Sequence, residues 1–142
     1  MRKTLLVLGL VCLVAGGASA QLISFGLGDA ALETSLNDIG ASAKVDLPGF
    51  SAEVSIQWGT AAVQVQAALG QGLAPAEVYL AAALANISGK PLATVVDTYK
   101  KNKAKGWGAL AKDLGIKPGS KEFKALKDKS TASADKAKKK KK

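Results

Sequence analysis

The sequence predicts an α+β domain: an N-terminal β-hairpin packed on a small bundle of short helices, followed by a disordered basic tail. Three observations carry that prediction. Apolar and polar residues alternate strictly on both sides of Pro48-Gly49. From Thr60 onward the apolar residues recur at helical spacing. After Lys129 the chain shows no apolar periodicity and cannot bury a core.

The elements follow in chain order. Arg2 and Lys3, an apolar run over residues 5–14, and Ala18-Ser19-Ala20 make up a cleavable secretory signal over residues 1–20, so the mature chain is expected to begin at Gln21. The apolar run is shorter than the ~20 residues a membrane span needs. Residues 29–39 read as a short helix, with Leu32, Leu36 and Ile39 at i, i+4 and i+7. Ala41, Ala43, Val45 and Leu47 then alternate with polar residues to form the first strand. Phe50, Ala52, Val54, Ile56 and Trp58 do the same for the second, and Pro48-Gly49 makes the turn.

Helices occupy the rest of the domain. Thr60 caps one that Gly70 ends. Pro75 opens a second over residues 76–87, apolar nearly all round and therefore buried at the centre. Pro91 opens a third, with Leu92, Val95, Val96 and Tyr99 on one face. Leu110, Ala111 and Leu114 form the face of a fourth, stopped by Gly115. Pro118 and Ser120 start a fifth, with Phe123 and Leu126 turned inward. The domain is thus expected to span residues 21–129, with residues 130–142 a disordered lysine-rich tail.

Composition narrows the chemistry. The chain has no histidine, and its one cysteine, Cys12, lies within the signal segment. The mature chain therefore has no disulfide, no thiolate nucleophile and no imidazole base, which excludes Ser-His-Asp and Cys-His hydrolysis. No metal site, cofactor or enzymatic activity is expected, because the common zinc ligands are missing. Ser133 and Lys136 match the S-x-x-K spacing of some acylating enzymes, but a disordered segment could not orient them.

Charge is unevenly spread. Residues 21–99 hold two lysines and seven acidic residues, whereas residues 100–142 hold sixteen lysines and four acidic residues. Such a chain suits an anionic partner, either an envelope polymer or an acidic protein surface. The candidate anion-binding residues are Lys121, Lys124, Lys127, Lys136, Lys138, Lys139, Lys140, Lys141 and Lys142. The plainer reading is that these lysines keep a small protein soluble. Trp107, between Gly106 and Gly108, and Phe123 are candidates for a contact surface or for core.

The segment from Gly106 to Lys127 also has the outline of a helix-turn-helix, with Lys121, Lys124 and Lys127 on the second helix. Lysines stand where that helix should pack, so a helical hairpin is the simpler reading and sequence-specific DNA binding is not expected.

The string YKKNKAKGWGALAKDLGIKPGSKEFKALK, residues 99–127, resembles the C-terminal signature of a group of small, exported, uncharacterised bacterial proteins. LNDIGASAKVDLPGFSAEVSI and APAEVYLAAALANISGKPLATVV are similar to the same group. The resemblance implies a periplasmic or secreted bacterial protein and carries no mechanism. Members of the group often have histidine where this chain has Lys124, so any role of that histidine does not carry over. The function expected from the sequence is a non-enzymatic exported envelope protein that binds an anionic polymer or surface through its basic C-terminal half. The alternative is a protein–protein interaction module that uses its helical face.

Overall fold

The computed structural model describes residues 23–140. The signal segment 1–20, the expected mature terminus at Gln21, and Lys141 and Lys142 lie outside the described residues. Among the described residues the regular elements are all helices, with no strand. Its helices are α1 (Ala30–Val45), α2 (Leu47–Trp58), α3 (Ala62–Gly70), α4 (Pro75–Ser88), α5 (Leu92–Lys101), α6 (Gly106–Asp113) and α7 (Lys121–Lys140), with a 3-10 turn at Lys103–Lys105 between α5 and α6.

The expected hairpin is therefore overturned, and so is the α+β class. A period of two contains a period of four: Phe50, Val54 and Trp58 alternate with polar residues, yet they also stand at i, i+4 and i+8 on one helical face. That face is the buried one in α2. The residues left over by the helical register point outward, and Ile56 is 84% and Val45 79% exposed. Pro48-Gly49 is not a hairpin turn. Asp46 caps α2 by accepting a hydrogen bond from the Gly49 N–H at 3.0 Å. Pro48 lies in the first turn, where a missing N–H costs nothing. The first expected strand is absorbed into α1, which buries Leu32, Leu36, Ile39, Gly40 and Ala43.

The later helices match their sequence signals closely. α4 packs against α1, α2, α3, α5 and α7, and is buried along most of its length, as its all-apolar composition predicts. α1 crosses α4 at Gly40, where an added Cβ would stand 3.0 Å from Ala76 Cβ; the absent side chain lets the backbones approach. α3 begins at Ala62 with Ala61 as N-cap, so Thr60 is not its side-chain cap.

The expected disorder of residues 130–142 is likewise overturned for residues 130–140, which continue α7. Ser120 caps this helix by accepting the Phe123 N–H at 3.1 Å. Its inward seam is Phe123, Leu126, Ser130, Ala134 and Ala137, spaced by three or four residues. The second half of that seam consists of small side chains rather than large apolar ones, which let α7 lie closely along α1. Alanine and lysine are also strong helix formers. α7 thus docks the basic half of the chain against the acidic half.

Candidate anion-binding surface

α7 projects its lysines in two directions. On its flanks, Lys127 Nζ lies 2.9 Å from Asp29 Oδ2, Lys138 Nζ 3.1 Å from Asp38 Oδ2, and Lys140 Nζ 3.3 Å from Glu53 Oε1. Lys129 Nζ stands 4.7 Å from the centre of the Trp58 ring, a cation–π contact. Part of the charge asymmetry is thus satisfied within the molecule. Side chains this exposed make such pairs worth about 0–1 kcal/mol each.

Asp29 is the most constrained of the three acids. It caps α1 by accepting the Leu32 N–H at 2.9 Å. That backbone hydrogen bond, followed by the one from Lys127, holds its carboxyl below the usual carboxylate range.

The solvent face of α7 carries the other lysines. Lys121 and Lys139 are eighteen residues apart, about five turns or ~27 Å, so they project the same way. Lys124 and Lys136 lie within about 60° to either side of that line. All four are exposed and form no ion pair among the described residues. Asp128 and Asp135 share this face, which divides it into two basic clusters.

The first cluster borders a shallow hollow of about 390 Å³ between Gly28, Pro118 and the first turns of α7, lined also by Lys121, Lys124 and Lys127. The start of α7 adds the partial positive charge of unpaired backbone N–H groups. A third group, Lys101, Lys103 and Lys105, is exposed around the 3-10 turn. It was not singled out in the sequence, although the run KKNKAK is its signal.

Trp107 and Phe123 do not form a contact surface. They are 2% and 5% exposed and belong to the core. The Trp107 indole N–H donates to Glu77 Oε2 at 2.9 Å, and its ring stacks on Tyr99 at 3.9 Å between centres. Burial, with Glu77 beside it, pushes the Tyr99 hydroxyl up to about 12.

A second polar cluster lies beneath the last turns of α7. The Tyr79 hydroxyl donates to Ser133 Oγ at 3.1 Å, Ser133 donates to Gln57 Oε1 at 2.6 Å, and Gln57 Nε2 donates to the Lys129 carbonyl at 3.2 Å. Burial raises the Tyr79 pKa. The crevice beside them, about 30 Å³, is large enough for a water or two and too small for an organic ligand. Trp58 Nε1 and Ser130 Oγ are buried without a hydrogen-bond partner. Each such group costs about 1–3 kcal/mol. Ser133 is engaged by Tyr79 and Gln57 while Lys136 faces solvent, so the S-x-x-K spacing assembles no nucleophile–base pair.

Among the described residues no group of three acidic side chains could hold a metal ion, and no helix is long and apolar enough to cross a membrane. No protein-family model, curated protein or solved structure matches this chain.

Proposed function

We propose that this is an exported, non-enzymatic envelope protein that holds an anionic polymer or surface on the lysines of its C-terminal half. One observation carries the reading. Lys121, Lys124, Lys136 and Lys139 keep their charge in solvent along one face of a continuous helix, although acidic partners are available to their neighbours on the flanks. Two clusters of ammonium groups strung along one helix suit an extended polyanion, which gains affinity by releasing its counterions. Export rests on the tripartite N-terminal sequence and on the resemblance to small exported bacterial proteins. The test is the affinity for inorganic polyphosphate across a salt series. A steep linear fall of log affinity with log salt supports the reading, and binding that is absent or indifferent to salt refutes it.

A second reading is supported by a different surface. Residues 47–76 contain one charged side chain, Glu53, and that one is engaged by Lys140. On this neutral stretch Ile56 of α2 and Val63 of α3 are 84% and 74% exposed. A protein partner would cover them by salt-insensitive apolar contact. Capture of one specific protein that persists at high salt, and survives charge reversal on α7, would favour this reading over the first.

A further inference from the structure

Residues 130–140 are held in an unusual way. The first half of α7 is anchored by Phe123 and Leu126, which are 5% and 0% exposed. Beyond Lys129 the inward seam is only Ser130, Ala134 and Ala137. Its hold is completed by the hydrogen bonds of Ser133 with the Tyr79 hydroxyl and Gln57, and by the ion pairs Lys138–Asp38 and Lys140–Glu53, one on each flank. Docking also leaves Ser130 Oγ dry and unpaired, so undocking returns it to water. The segment covers a groove of Ile39, Ala43, Phe50 and Val54, with Gln57 and the Tyr79 hydroxyl at its floor.

We propose that residues 130–140 form a latch, released when an anionic polymer takes Lys138 and Lys140 away from Asp38 and Glu53. This rests on the polymer-binding reading above. The chemistry is a competition for the same ammonium groups. A polymer that follows Lys136 and Lys139 along the helix meets Lys138 and Lys140 next, and the two carboxylates beside them repel it. Binding and docking therefore oppose each other at these two residues. Once undocked, a segment this short is a marginal helix and its amides open to solvent. Release uncovers an apolar groove edged by Asp46 and Glu53.

Hydrogen exchange of the mature chain at low salt, with and without inorganic polyphosphate, reads the latch directly. Polyphosphate binding is followed in parallel by fluorescence anisotropy of a labelled polymer. Exchange in residues 130–140 is expected to rise at least about tenfold on binding, while residues 121–128 keep their protection. Binding without a rise would overturn the latch and leave the binding reading intact. No binding would overturn the reading and polymer-driven release together. The double variant Asp38→Asn, Glu53→Gln supplies a polymer-free arm. It should raise exchange in residues 130–140 on its own, and unchanged exchange there would show that the ion pairs do not hold the segment.

Discussion

Glu77 and Trp107 are thirty residues apart and share one hydrogen bond, in which the indole N–H donates to Oε2 at 2.9 Å. The other carboxylate oxygen of Glu77 accepts the Ala74 N–H at 3.1 Å and so caps α4. One side chain therefore starts the central helix and fixes α6 beside it. Glu77→Ala removes the cap and leaves a buried indole N–H without a partner. It is expected to cost about 1–3 kcal/mol in urea unfolding. In a double-mutant cycle, Trp107→Phe should absorb part of that loss, and strict additivity would show that the two residues are not coupled.

The Tyr99 stacked on Trp107 makes stability depend on pH at the alkaline end. Its folded hydroxyl titrates at about 12, above the ordinary value of 10.0, so folding favours the protonated form. The contribution is complete below pH 10 and is lost as pH rises from 10.0 towards about 12. Circular dichroism melts between pH 9 and about pH 12 should show this decline, and Tyr99→Phe should lessen it, leaving the part that buried Tyr79 contributes.

Gly108 marks a contact between backbones. Its N–H donates to the Phe25 carbonyl at 3.1 Å, and a Cβ on Gly108 would overlap the Gly26 carbonyl oxygen. Gly108→Ala is therefore expected to destabilise by about 1–3 kcal/mol in chemical denaturation. Gly70, the last residue of α3, has no atom within 4 Å of the equivalent position. Gly70→Ala should be neutral or stabilise by up to about 1 kcal/mol.

Truncation after Lys129 tests the docking of the basic segment. It removes Ser130, Ala134 and Ala137 from the α1–α2 groove and the partners of Asp38 and Glu53. The lost burial and the lost Ser133 hydrogen bonds are expected to cost about 1–3 kcal/mol, read as a lower melting temperature. An unchanged melting temperature would mean that residues 130–140 do not pack.

Much of the fold could be read from the sequence, and its failures have a physical cause. Pro75, the apolar run after it and the 92/95/96 spacing specified α4 and α5 because no other period fits them. The stretch around Pro48 fits two periods at once, since Phe50, Val54 and Trp58 satisfy both a strand face and a helix face. The packing of α2 against α1, α3 and α4 decides between them. Ala134 and Ala137 were illegible for another reason. A seam of small residues has no large apolar signal, and its burial depends on α1 lying close enough to meet it. The same docking divides the lysines. Sequence placed Lys127, Lys138 and Lys140 in one class with Lys124 and Lys136, but their acidic partners lie some ninety residues away in the chain.

Binding of inorganic polyphosphate to the variant Lys124→Glu/Lys136→Glu/Lys139→Glu tests the solvent-facing row most directly. Lys90→Glu, remote from α7 in the sequence and exposed, serves as the charge control. The triple variant is expected to lose at least about tenfold in affinity at low salt and to show a salt slope shallower by about three, while the control loses little. Equal affinity of the triple variant and the native chain would contradict binding through the exposed face of α7.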